Sequence, residues 1–317
     1  MHDILRRIER ELGIPDAAER LATKIQQADL HSLLLHVFER RAAARTPADV
    51  LADYAANRFA RPSASDPRAL ARFDVAAFAA LPDGFEALEL SPVAPLGTAS
   101  ALATVHQNKA LASIRSVEVL SDATNVLALE CALRRKARLR ADARSTEPVH
   151  LAASHRHLRT QALPPGPEFF AHFDLFTLCS AGRDTHGGRF HASALDTHLG
   201  FYARLAREQL GPAFELRIAL TDLASAEPRA AWRRELPSVE VVFDQSRASG
   251  RGYYTDVCFK IHARAPGEEW LELGDGGAVD WSAKLLSNAK ERLFVSGISS
   301  ERICALKAAE APRARSG

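Results

Sequence analysis

The residues best suited to chemistry fall in three short stretches. The first is Ser154-His155-Arg156-His157-Leu158-Arg159-Thr160-Gln161, followed by a Pro-rich segment (162–167) and then Phe169-Phe170-Ala171-His172-Phe173. Read as a strand, it alternates faces, so Arg156 shares a side with Ser154 and Leu158 while Arg159 points the other way. A guanidinium beside aromatic rings suits a nucleotide, since the fork pairs with phosphate and a ring stacks on the base. A solvated basic strand is the plainer reading of the same residues. The second stretch is Gly250-Arg251-Gly252-Tyr253-Tyr254-Thr255-Asp256. Glycines ahead of two tyrosines fit a close-packed strand entry, with core packing as the default explanation. The third is Ser296-Gly297-Ile298-Ser299-Ser300-Glu301-Arg302-Ile303. Here a strand ends and a serine-capped helix opens. The free N–H groups of such a helix accept anions, and Arg302 in its first turn adds charge. Capping alone would also account for the serines.

The elements that must position these residues can be read from spacing. Residues 1 to about 58 place Ile4, Ile8, Leu12 and then Leu21, Ile25, Leu30, Leu33, Leu34, Val37 and Phe38 at intervals near three and four, the helical period. Pro47 is placed to open a helix carrying Val50, Leu51 and Tyr54. The Pro- and Ser-rich residues 60–68 read as a linker. The expected organisation is a helical segment at 1–60, a linker at 61–68, a main domain at 69–308 and a disordered tail at 309–317. Within the main domain we expect helices at 122–139, 191–210 and 280–289, and a last one from about 299. Strands are expected at 85–91, 149–161, 169–180, 214–221, 239–244, 253–263 and 293–297, with a turn at Gly274-Asp275-Gly276-Gly277. The fold class implied is α+β, a mostly antiparallel sheet flanked by helices.

Taken in order, these stretches resemble a class II aminoacyl-tRNA synthetase catalytic domain, nearest to that of histidyl-tRNA synthetase and its paralogues. His155 to Gln161 resembles motif 2 of that family, Phe-Arg-His-Glu-Arg-Pro-Gln. Pro95-Leu96-Gly97-Thr98-Ala99 is similar to its Pro-Glu-Gly-Thr-Ala. Gly252-Tyr253-Tyr254-Thr255-Asp256 resembles the histidine-binding Leu-Asp-Tyr-Tyr-Thr-Gly, and Gly276-Gly277-Ala278-Val279-Asp280 resembles Gly-Gly-Arg-Tyr-Asp. Ser296 to Ile303 resembles motif 3, which ends in Glu-Arg-Leu. Gly84-Phe85 with Pro92 is a fainter echo of the dimer-forming motif 1. The match spans roughly residues 84–306.

The resemblance implies ATP and Mg²⁺ as cofactors and acyl-adenylate formation as the reaction. It assigns the phosphate clamp to Arg156 and Arg302, adenine stacking to Phe170, and ATP contacts to Glu301 as well. Thr98, Gln161, Arg251, Tyr253, Tyr254, Gly276 and Gly277 would line the substrate pocket. It also implies a homodimer. Several positions depart from the pattern: Leu158 and Phe176 stand where motif 2 carries Glu, Leu96-Gly97 replaces Pro-Glu, Ser249 occupies the register of a catalytic Arg, and Ala278 replaces Arg. These changes remove partners for a substrate ammonium, so histidine is a poor fit. No stretch of the length of an anticodon-binding domain follows motif 3, so full tRNA recognition is not expected. Two functions stay open: an ATP-dependent ligase that activates an amino or other carboxylic acid for a non-standard acceptor, or a non-catalytic regulatory or ligand-sensing subunit with a partner protein. A generic α+β binding protein is the third alternative.

Composition adds limits. Of 317 residues, 41 are Lys or Arg and 39 are Asp or Glu, a near balance that gives no general reason for nucleic-acid or membrane binding. Cys131, Cys179, Cys258 and Cys304 are widely separated, as expected for reduced thiols of a cytoplasmic protein. The N-terminus lacks a signal-peptide core, and no apolar run is long enough to span a bilayer.

Overall fold

The computed structural model describes residues 2–161, 170–185 and 187–310. The chain divides into two compact units, residues 1–61 with 112–117 and the remainder. The first unit is helical: α1 (His2–Leu12), α2 (Ala17–Thr23), α3 (Gln27–Ala43) and α4 (Pro47–Ala56). Pro47 does open α4, because its missing N–H is no loss in a first turn. Thr46 and Asp49 complete a reciprocal capping box there. Within these four helices only Ala17 is buried.

The second unit is built on an eight-stranded sheet. Its strands are β1 (Phe85–Ala87), β2 (Val149–Leu158), β3 (His172–Arg183), β4 (Glu215–Asp222), β5 (Glu240–Phe243), β6 (Val257–Arg264), β7 (Leu271–Val279) and β8 (Glu291–Ser299). They lie in the order β1-β2-β3-β8-β7-β6-β4-β5. All pairings are antiparallel except those of the two edge strands, β1 with β2 and β5 with β4. The helices are α5 (Pro67–Ala79), α6 (Ala123–Ala141), α7 (Arg189–Leu210), α8 (Trp281–Leu286) and α9 (Ser300–Glu310). The fold class expected from the sequence is therefore the one observed.

Strand alternation supplies two cores. On one face Phe176, Leu178, Phe259 and Phe294 meet Phe73 of α5, Leu199 and Tyr202 of α7 and Ile303 of α9. On the other, Leu151, Cys179, Leu293 and Val295 meet Leu127 and Cys131 of α6 and Trp281 of α8. β3 and β8 are thus buried on both faces over Phe176–Gly182 and Leu293–Ser296.

Three expectations change. Residues 61–68 were expected to be linker throughout, but Asp66 caps and Pro67 opens α5, which buries Leu70, Phe73 and Ala77 at helical spacing. Gly274 to Gly277 form no turn; they lie within β7, where the lack of side chains admits close neighbours. A Cβ on Gly274 would lie 2.1 Å from the Gly297 carbonyl oxygen, and one on Gly276 2.4 Å from Ser296 Cβ. The strand expected from 253 starts at Val257, because Gly250 and Gly252 adopt φ of 78° and 86° in a preceding turn. Residues 309 and 310 belong to α9, and the rest of the expected tail lies outside the described residues.

Candidate functional site

β2 and β3 pair so that Arg156 faces Asp174 and His157 faces Phe173. Even-numbered β2 residues therefore share a face with even-numbered residues of β3. Ser154 on that face donates to Asp74 of α5 at 2.7 Å. Arg156 beside it is ion-paired to Asp174 and to Glu301 of α9, the latter at 3.2 Å, and donates to His172 Nδ1 at 2.7 Å. Glu301 is fully buried, and its Oε1 also accepts from Ser63 at 2.9 Å and Ser65 at 3.1 Å. Burial pushes the Asp174 carboxyl above its usual range, partly opposed by Arg156. The Arg156–Glu301 pair thus fastens the sheet to α9 and to the segment leading into α5.

The open cleft lies on the opposite face of β2 and β3. It holds about 250 Å³, between the ends of β3, β7 and β8 and the start of α6. Phe173, Leu175 and Thr177 of β3 line it, together with Gly297 of β8, which pairs with Thr177, and Gly274 and Asp275 of β7 on the next strand over. Arg159, odd-numbered like His157, enters this cleft. Its guanidinium sits 5.2 Å from the centre of the Phe173 ring and 3.2 Å from Asp122 Oδ2, and its Nε donates to the Ser121 carbonyl at 2.8 Å. Asp122 uses its other oxygen to cap α6 through the Thr124 N–H at 3.0 Å. His157, immediately behind, is fully buried and accepts from the Ala123 N–H at 2.7 Å. Burial drives its pKa down to about 3, so it sits neutral in the folded protein.

Arg302 reaches the cleft from the first turn of α9, where it donates to the Glu272 carbonyl. Phe170, Gln161, Tyr253 and Tyr254 line it too. Burial holds both tyrosine hydroxyls well above their ordinary pKa, so they act as neutral hydrogen-bonding groups. Behind Tyr254 lies Arg247, 5% exposed, which pairs with Asp275 at 3.0 Å and donates to the Phe259 carbonyl at 3.0 Å.

The expected site residues therefore separate into three groups. Arg302, Phe170, Gln161, Tyr253 and Tyr254 converge on the cleft. Arg156 and Glu301 lie on the far face, locked to each other. Thr98 is buried in the turn after Pro95, whose carbonyl accepts its hydroxyl at 2.7 Å, and it is not among the cleft residues. Arg251 bonds the Arg247 and Gln245 carbonyls, and Gly276 and Gly277 sit within β7 without reaching the cleft. Arg156 and Arg302 do not border the same cleft; the arginine beside Arg302 there is Arg159, one residue beyond β2. Sequence reading also missed Asp122, Asp275 and the supporting Arg247. The only available signal for Asp122 was its place as a helix cap.

The carboxylates offered to a metal here are Asp122, Glu272 and Asp275, and each is already paired, with Arg159, Lys260 and Arg247 respectively. Among the described residues no group of three or more His, Cys, Asp or Glu could hold a metal ion.

The sheet order and the flanking helices give this chain the fold seen in class II aminoacyl-tRNA synthetase catalytic domains such as those of solved histidyl-tRNA synthetases. Three solved structures carry the comparison. A Bacillus halodurans ATP phosphoribosyltransferase regulatory subunit/histidyl-tRNA synthetase is 13% identical, with a TM-score of 0.57 over 77% of this chain and 81% of that one. A histidine–tRNA ligase subunit from Alicyclobacillus acidocaldarius is 12% identical, with a TM-score of 0.58 over 79% and 97%. The histidyl-tRNA synthetase of S. aureus, in its apo form, is 15% identical, with a TM-score of 0.53 over 77% and 66%. At these identities the likeness is one of fold. No family model and no curated protein matches the chain. No described helix is long and apolar enough to cross a membrane.

Proposed function

We propose that this chain is a synthetase-fold ligand-binding protein that senses a small molecule in the β3–β7–β8 cleft without activating it, as a regulatory subunit for a partner protein. The observation that carries this reading is the position of Arg156. This arginine, which the resemblance assigns to the phosphate clamp, is ion-paired to Asp174 and Glu301 on the face away from the cleft. Adenylate formation depends on charge neutralisation at the reacting phosphate, and Arg156 is held away from the cleft.

The cleft chemistry selects a ligand of mixed charge. Arg159 and Arg302 offer donors to a carboxylate. Asp122, Asp275 and the neutral tyrosine hydroxyls offer acceptors to an ammonium. An amino acid or a close analogue fits this set. The fold shared with a protein described as a phosphoribosyltransferase regulatory subunit supports the same reading.

A second reading has one observation in its favour: Arg159, Arg302 and Phe170 all border one cleft. Two guanidinium groups and a ring could hold a nucleotide, and ATP with Mg²⁺ would then support acid activation by a different arginine set. One experiment separates the two. Titration calorimetry with a panel of amino acids is run beside ATP–pyrophosphate exchange on the same panel. Binding that weakens at least tenfold in Arg159→Ala and Arg302→Ala, with no exchange above the enzyme-free control, is the expected result. Acid-dependent exchange would overturn the non-catalytic reading.

A further inference from the structure

Among the described residues, eleven of the seventeen exposed large hydrophobic side chains lie between residues 4 and 54. They belong to the helical unit, whose four helices bury only Ala17. Helices of 7 to 17 residues are marginal in water by themselves and draw their stability from packing an apolar face. Here that face is open. Ile4, Ile8 and Leu12 form a stripe on α1, and Val50, Leu51 and Tyr54 form another on α4. The eleven side chains are 38–68% exposed. At about half exposure they offer on the order of 500 Å² of apolar surface. A standard interface buries about 800 Å² per partner, a little over half of it apolar. The open surface therefore matches one stable interface in size.

The pattern on α3 identifies the partner. Asp29, Leu33, Val37 and Arg41 are spaced by four and all exposed, so they form one row along the helix. His31 bonds Ser116 of its own unit at 2.7 Å. Leu33 lies two residues on, at about 100° per residue, and so points to the opposite side of the helix. The outward row reads acid, apolar, apolar, base. Neither Asp29 nor Arg41 has an ion-pair partner among the described residues. Laid antiparallel on itself about a two-fold axis at Leu35, the row is its own complement. Asp29 then meets Arg41 of the copy, Leu33 meets Val37 of the copy, and the same contacts recur in reverse.

A lipid surface is a poorer match. Amphipathic helices that lie on anionic membranes carry a mainly basic polar face. The polar face of α1 instead sets Arg6, Arg7 and Arg10 against Asp3, Glu9 and Glu11. We propose that the helical unit is a self-association surface, covered by the helical unit of a second copy of this chain with the two α3 helices antiparallel. This seam is separate from β1, where the class II resemblance places a dimer-forming strand.

Sedimentation equilibrium on the full chain tests the seam. Wild type should form a dimer at micromolar concentration. Asp29→Arg alone, or Arg41→Asp alone, should weaken it about tenfold or more, because each change sets like charges together twice across the axis. The double swap, Asp29→Arg with Arg41→Asp, should bring the dissociation constant back to within about threefold of wild type. Both side chains are exposed, so these changes leave the fold intact. Leu33→Asp with Val37→Asp should leave monomer only, and Ala87→Asp on β1 should leave the dimer as it is. A wild-type chain that stays monomeric would overturn the proposal and assign the surface to a different protein. A double swap that fails to restore association would overturn it too, as would a dimer lost in Ala87→Asp and kept in Leu33→Asp with Val37→Asp.

Discussion

Replacing Arg156 by Ala separates the two roles that this residue could have. In the structure its guanidinium satisfies Asp174, His172 and the buried Glu301. Removing one partner of a fully buried pair costs about 3–5 kcal/mol, because the other charge is stranded. Two features reduce that here. The Arg156 side chain is 37% exposed, so water screens the pair. Glu301 also keeps its bonds from Ser63 and Ser65. The expected loss is about 2 kcal/mol, or a fall in Tm of roughly 4–8 °C for a unit of this size. Urea unfolding and thermal melts read the loss, and calorimetry on the same preparation reads ligand affinity at the cleft. Affinity should stay within twofold of wild type, since Arg156 does not border the cleft. A double-mutant cycle with Glu301→Gln should return a coupling above about 0.5 kcal/mol. Unchanged stability together with a tenfold loss of ligand or nucleotide affinity would refute the reasoning and return Arg156 to the site.

Three further outcomes follow from the packing and from the buried histidines. Arg135 and Glu291 are both fully buried and meet at 2.8 and 3.0 Å, so Glu291→Ala should cost about 3–5 kcal/mol in urea unfolding, whereas Arg135→Met with Glu291→Leu should recover most of it. Gly276→Ala should destabilise by about 2 kcal/mol or more, because the new Cβ meets Ser296, Phe259 and the Val295 carbonyl within 2.8 Å; a midpoint unchanged from wild type would contradict the close approach of β7 to β8. His198 is fully buried between Ser180 and Ser296 at 2.8 and 2.7 Å, and burial lowers its pKa to about 3. Its folded pKa lies below the unfolded value of about 6.5, so the unfolded chain binds the proton first and stability falls as pH drops from 6.5 towards 3, by up to ~1.4 kcal/mol per pH unit for each such histidine. His157 acts in the same direction. Urea midpoints measured between pH 7 and 4 should fall accordingly, and His198→Gln should flatten the slope by about one histidine's share.

Much of the architecture was legible before any coordinates. The helical spacing around Leu195, Leu199, Tyr202 and Leu205 marks the buried stripe of α7, and all four are fully buried. The order of the three chemistry-bearing stretches pointed to a class II fold, and all three do meet at the cleft, through Gln161 and Phe170, through Tyr253 and Tyr254, and through Arg302. The helix α5 was not legible, because Pro and Ser ahead of Asp66 read as linker while the apolar positions that define the helix come after. The glycines of β7 looked like a turn for a similar reason: only the neighbouring strand shows that a Cβ has nowhere to go.

The two arginines show where the boundary lies. Alternation along β2 was enough to put Arg156 with Ser154 on one side and Arg159 on the other, because side-chain direction repeats every two residues whatever the context. Which of those sides faces the cleft is not a local property. It is decided when α5 and α9 cover the even-numbered face, with Asp74 taking Ser154 and Glu301 taking Arg156. A motif aligned one residue out of phase looks equally good as a string and carries every side chain to the wrong face. Sequence alone determined the fold and the pairing of residues into faces; only the packing of helices against the sheet determined which face lines the cleft.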